Sequence, residues 1–197
     1  MDKNTKAFFA LLKAGLWEQS VQLLPYSPID FDALYHMADE QSVVGLIAAG
    51  LEYVIDLKVT KPQALPFLKK VLLLEGRNAE MNGFIADLVN KMRGTGIETL
   101  LVKGQGIARC YKRPQWRGVG DVDLFLDNDN YEKAKSFLIP FANSVDKEDV
   151  VRKHLGMTID SWTVELHGTL RGPLLKRINS MIDEVQTDTF EHKRFRI

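Results

Sequence analysis

The chain changes rhythm near Gly94. Before it, apolar positions recur every three or four residues; after it they come in short alternating bursts separated by turns. In the first stretch, "NTKAFFALLKAGL" (4–16) sets Phe8, Leu11, Leu12 and Gly15 at helical spacing behind a polar cap. "SPIDFDALYHMADEQ" (27–41) offers Ser27 or Asp30 as a cap, then brings Leu34, Met37 and Ala38 to one side. "VVGLIAAGLEYVIDL" (43–57) is apolar nearly all round and reads as a buried helix. A long helix is predicted from Pro66 to the glycines at 94 and 96.

Past that point "IETLLV" (97–102) reads as a strand, residues 106–111 as a helix and "DVDLFL" (121–126) as a second strand. A helix opened by Asp129 follows, with Glu132 three residues on as in a capping box. Two further strands, "LGMTID" (155–160) and "WTVELHG" (162–168), precede a helix from Pro173. The pattern predicts an α+β domain over 94–197, an α/β-type small mixed sheet flanked by helices, behind a helical N-terminal region over 1–93.

Charge adds little direction, because 26 basic residues balance 26 acidic ones. No global field draws the chain to nucleic acid or membrane, so a phosphate partner needs a local basic cluster. The single cysteine, Cys110, excludes an internal disulfide framework and a multi-thiolate metal site, and reads as a small buried hydrophobe. The opening residues are too charged for a signal peptide, and no apolar run reaches membrane-spanning length. A soluble cytoplasmic protein is expected.

The candidate chemistry lies in the second half. Side chains alternate along a strand, so Asp121 and Asp123 share one face while Val122 and Leu124 take the other. Like charges held together destabilise a fold unless a proton, a basic side chain or a metal neutralises them. Two such carboxylates can hold Mg²⁺ or Mn²⁺, and the sequence shows no Cys/His cluster for a softer metal. Alone, the pair reads rather as the wet face of an edge strand.

"WTVELHG" carries the same alternation. Trp162, Val164 and Leu166 form an apolar stripe and leave Thr163, Glu165 and His167 opposite, so Glu165 is the natural third carboxylate, with Asp160 next in line. His167 reads as a hydrogen-bonded strand-end histidine; His36, His154 and His192 suggest no partner.

"KGQG" (103–106) joins a strand to a helix, where glycine lets backbone N–H groups approach a phosphate and Lys103 supplies a charge. It is neither a P-loop nor a dinucleotide fingerprint, since Arg109 stands where the third glycine belongs. Of the basic residues that follow, Lys112 and Arg113 read as a solvated loop, while Arg117 remains a phosphate candidate.

Strand, Gly-turn, helix, D-x-D strand and a later acid-bearing strand together resemble the nucleotidyltransferase superfamily of DNA polymerase beta type. More closely, "LLVKGQGIARCYKRPQWRGVGDVDLFL" followed by "VELHGTL" resembles the bacterial group known as uncharacterised nucleotidyltransferases, over roughly residues 97–170. The resemblance implies Asp121, Asp123 and Glu165 as metal-binding and catalytic acids, with Gly104 and its neighbours Lys103 and Gln105 at the nucleotide phosphates; Arg117 joins them as the candidate from the basic cluster. It implies transfer of a nucleoside monophosphate from a nucleoside triphosphate to a hydroxyl on a small molecule, a protein or RNA. Gln105 stands where the superfamily usually has Gly or Ser, which leaves an inactive binding or regulatory module as the alternative. The group commonly continues with further helices, so the domain is expected to be either truncated on its C-terminal side or a short member. Sugar transferases of D-x-D type need an open nucleotide-binding sheet ahead of the acids, where this chain is helical. Haloacid-dehalogenase-like phosphatases place their acids after the apolar strand, and here the apolar residues follow.

Overall fold

The helices expected in the first half are present as α1 (Lys3–Trp17), α2 (Phe31–Glu40), α3 (Val44–Leu51) and α4 (Lys61–Gly94). The structure, a computed structural model, describes residues 1–118 and 120–192, so 193–197 of the basic "HKRFRI" end lie outside the described residues. Asp30, not Ser27, caps α2: its Oδ1 accepts the N–H groups of Asp32 and Ala33, both at 3.0 Å. α4 starts at Lys61 rather than at Pro66, which lies inside it. Gln63 Oε1 accepts the Thr60 N–H at 2.9 Å and stabilises the earlier start. Pro66 then forfeits only one ladder bond near the helix entrance.

The chain packs as two compact units, Met1–Glu80 with Ala108–Val119 and Met81–Ile107 with Gly120–Ile197. The rhythm change at Gly94 marks the end of α4, whereas the packing boundary falls within that continuous helix. Periodicity reports local conformation, so it does not register where a helix passes from one core to another. Cys110 is exposed rather than buried, because α5 (Lys103–Ala108) stops short of it and leaves it in a turn.

The first unit is built around Phe8, Leu11, Leu34, Ile47 and Phe67, all buried. Within it α1 and α3 touch backbone to backbone. A Cβ on Gly15 would stand 1.9 Å from Leu46 O, and one on Gly50 would stand 2.2 Å from Leu11 O.

The second unit carries a five-stranded mixed sheet in the order β1-β2-β5-β4-β3, with β1 (Leu100–Val102), β2 (Asp121–Phe125), β3 (Ser144–Val145), β4 (His154–Ile159) and β5 (Trp162–His167). β2 and β5 run parallel and the other neighbours are antiparallel. The two-residue edge strand β3 carries no pattern long enough to read. Val122, Leu124, Leu155, Met157, Trp162, Val164 and Leu166 are buried, and Phe84 of α4 lies 6.3 Å from the Trp162 ring. Each such aliphatic burial contributes about 1.5–3 kcal/mol, enough to fix which strand face turns inward.

Two more helices complete the unit, α6 (Asn128–Leu138) and α7 (Lys176–Glu191). The cap of α6 is Asp127 rather than Asp129. Its Oδ1 accepts the Asn130 N–H at 2.8 Å, Oδ2 accepts Asn130 Nδ2 at 2.9 Å, and Asn130 Oδ1 accepts the Glu98 N–H at 3.0 Å. Asp127→Ala should therefore lower stability by about 1 kcal/mol, read as a shifted denaturant midpoint at unchanged slope. Asp129→Ala should leave the midpoint within about 0.5 kcal/mol of the parent.

Candidate active site

Strand register assembles the acids. Asp121 pairs with Thr163, Asp123 with Glu165 and Phe125 with His167 across the parallel β2–β5 ladder. On the other side of β5, Gly156 faces Glu165 and His154 faces His167. Paired residues project to the same face of a sheet, so Asp123, Glu165 and both histidines stand side by side. Ligand oxygens of Asp121, Asp123 and Glu165 all lie within 4.8 Å of one another. Asp121 is exposed, Asp123 is only 3% exposed and Glu165 is half-buried.

The charge on Asp123 is balanced by the protein itself. Lys103 Nζ donates to Asp123 Oδ1 at 2.6 Å, and His167 Nε2 stands 2.8 Å from the same oxygen. An ionised carboxylate only accepts, so in this pair Nε2 is the donor; Lys103 Nζ stands 3.5 Å from the same nitrogen. The His167 pKa lies below its ordinary value, first because the ring is buried; the bond to Asp123 opposes this, and the Lys103 charge adds to the lowering. The Lys103 pKa is raised, chiefly by the bond to Asp123, so the ammonium stays charged.

A sequence model of the family described as uncharacterised nucleotidyltransferase matches residues 27–196. The chain belongs to that family. No curated protein and no solved structure matches it. Among the described residues, no helix is long and apolar enough to cross a membrane.

The other residues that this family's resemblance singled out fall in different settings. Lys103 directly follows β1 with φ +50°, a left-handed conformation that costs a non-glycine residue about 1–3 kcal/mol. Gly104 lies close against β2: a Cβ there would stand 3.3 Å from Asp121 O, tighter than an ordinary contact. Gly106 is tighter, its Cβ position lying 2.5 Å from Leu101 O, so this second glycine seats α5 on β1. The Gln105 side chain is buried, and its Nε2 donates to Met81 Sδ at 3.6 Å. Its bulk therefore points into the unit rather than toward the acids. Arg117 belongs to the first unit, where its carbonyl accepts Asn78 Nδ2 at 2.9 Å and its guanidinium donates to Gly118 O at 3.4 Å. Asp160 occupies the β4–β5 turn with φ +54° and lines a separate cavity with Phe84, Phe137 and Ile159.

His154 is the residue that sequence reasoning left without a role. Its Nε2 lies 3.3 Å from Glu165 Oε2, and His167 Nε2 lies 3.5 Å from the same oxygen. The absence of a histidine cluster, read from the sequence, is thus corrected: β-pairing builds one from residues thirteen positions apart. The signal that could have found it is the two-residue turn Asp160–Ser161, which places Ile159 opposite Trp162 and hence His154 opposite His167.

Proposed function

We propose that this chain transfers a nucleoside monophosphate from a nucleoside triphosphate to a hydroxyl acceptor, a small molecule, a protein or an RNA, in a reaction that needs Mg²⁺ or Mn²⁺. The observation carrying this reading is the meeting of Asp121, Asp123 and Glu165 across one parallel ladder, with oxygens within 4.8 Å. An all-oxygen donor set suits a hard divalent ion, and Asp121 and Asp123 would hold it beside Glu165. Such an ion supplies charge neutralisation at the phosphates when bound.

The protein's part is positioning and proton handling. The acceptor oxygen bonds to the α-phosphorus, the bond to the β-phosphate bridging oxygen breaks, and pyrophosphate departs with that electron pair. Glu165, half-buried beside the exposed Asp121, takes the acceptor's proton. Lys103 turns its ammonium from Asp123 to the phosphates, and Gly104, lacking a side chain, lets its backbone approach them.

Incubation with α-labelled ATP, CTP, GTP and UTP, Mg²⁺ or Mn²⁺ and a cell extract should label an acceptor in the presence of the divalent ion only. Triphosphate binding without any transfer would favour the inactive module instead. Glu165→Gln keeps the shape and removes the base, so turnover should fall by about 10²–10⁴-fold while triphosphate affinity largely survives. Parent-rate turnover in Glu165→Gln would remove this residue from the chemistry.

A further inference from the structure

We infer that His154, His167 and Glu165 form a second cation site, one that takes a borderline-soft divalent ion of the Zn²⁺ class. The inference goes beyond nucleotidyl transfer and does not depend on it.

The three residues lie on adjacent antiparallel strands, with His154 directly opposite His167 and Glu165 two positions before His167 on the same face. Their rings sit with centroids 4.9 Å apart and planes inclined by 39°, so both imidazole edges converge on the carboxylate instead of stacking. Nε2 of His154 is 3.3 Å and Nε2 of His167 is 3.5 Å from Glu165 Oε2. A metal about 2.1 Å from each ligand sets ligand atoms about 3.4 Å apart at a tetrahedral centre and about 3.0 Å apart at an octahedral one. The two imidazole–carboxylate separations, 3.3 and 3.5 Å, fall in the range that one shared ion spans, so the choice of ion rests on the donors.

Donor chemistry makes that choice. Two imidazoles and one carboxylate form the ligand set of open, three-residue zinc sites, leaving a fourth position for solvent or a ligand. Imidazole suits Zn²⁺, Cu²⁺, Ni²⁺ and Fe²⁺, whereas the neighbouring Asp121, Asp123 and Glu165 offer oxygen alone. The sheet therefore presents two differently tuned ligand sets that share Glu165. Gly156, opposite Glu165 on β4, adds no side chain of its own to that row. The His154 side chain is 38% exposed, so solvent reaches the cluster.

His167 has two claims on it. Its Nε2 proton now serves Asp123, and ligating a metal requires the other tautomer, with the proton on Nδ1. The site is accordingly expected to bind its ion with release of the His167–Asp123 bond, and loading should leave Lys103 as the remaining partner of Asp123.

The test is direct metal binding by the full chain. Wild-type protein incubated with Zn²⁺ and passed through a desalting column should retain about one equivalent by elemental analysis. Co²⁺ in its place should give the intense visible bands of four-coordinate nitrogen–oxygen ligation. His154→Gln removes one ligand from a half-exposed position and should weaken Co²⁺ binding by about 100-fold or more, with an unchanged melting temperature. Asp121→Asn leaves all three ligands in place and should retain the bands. X-ray absorption at the zinc edge should count two imidazole scatterers.

Retention of the bands in His154→Gln, or their loss in Asp121→Asn alone, would place the ion on the carboxylates and overturn the inference. Absence of bound Zn²⁺ and Co²⁺ in folded wild-type protein would overturn it as well. A Mg²⁺-dependent triphosphate response persisting in either case leaves the transferase reading standing, so the two fail separately.

Discussion

Asp123→Asn is expected to abolish the joint stabilisation of the protein by triphosphate and Mg²⁺, and to cut any nucleotide transfer by about 10³-fold or more. The residue is 3% exposed, yet its Oδ1 serves both Lys103 and His167. Asparagine keeps the shape and an accepting oxygen, so the two donors retain a partner. The charge that disappears is the buried one. The charge left behind belongs to Lys103, whose side chain is 57% exposed and stays hydrated. Removing a buried member of an ion pair while the other remains in water avoids the heavy penalty of a stranded interior charge. The variant should thus fold with a melting temperature close to the parent's. The parent, at a hundredfold excess of metal-triphosphate over Kd, should gain about 2.7 kcal/mol. Melts with Mg²⁺, with ATP and with both will separate the two proteins, and a synergy surviving in Asp123→Asn would remove the acids from the binding site.

The second large effect concerns one methyl group. Gly15→Ala places a Cβ 1.9 Å from Leu46 O and 2.9 Å from Gly50 N. Both obstacles are backbone atoms of α3, and neither can rotate aside. Relief requires α1 and α3 to separate, which would loosen Leu11, Ile47 and the neighbours buried with them. Overpacking of this kind costs about 1–3 kcal/mol and the rigid neighbour puts it at the upper end, despite alanine's better helix propensity. A fall of about 6–12 °C in melting temperature is expected for a chain of this size. Gly76→Ala is the matched control, since a Cβ there meets nothing within 4 Å; it should stabilise slightly. Equal melting temperatures for the two variants would contradict the close approach of α1 and α3.

Legibility in the sequence depends on whether the information is local. The faces of β2 and β5 follow from polar–apolar alternation in the sequence, but that pattern alone reads as wet strand faces; it is the resemblance to the family that joins Asp121, Asp123 and Glu165 into one set. Their register is not readable that way, because β2 and β5 pair across some forty residues that include α6, β3 and β4. The cap of α6 falls two residues ahead of the capping-box pattern, since Asp127 and Asp129 are chemically equivalent signals and only the bond to Asn130 decides between them. Gly104 and Gly106 likewise look alike in the sequence. What distinguishes them is the Leu101 carbonyl beneath Gly106, a neighbour supplied by folding. Gln105, too, reads in the sequence as a bulky intruder at a phosphate turn, and its buried contact with Met81 gives that bulk another place to go.

The ammonium of Lys103 resting on Asp123 has a bearing on the order of events under the proposed activity. The resting protein already contains its own counter-ion, so loading is a swap of one cation for another rather than the filling of a gap. A bare divalent ion arriving alone must send Lys103 out to solvent with nothing to greet it. An ion escorted by a triphosphate brings the lysine a new anion in the same stroke. The lysine thereby makes the bare ion a poor guest and the ion–nucleotide complex a good one, so that idle occupancy is suppressed until the substrate itself is at hand.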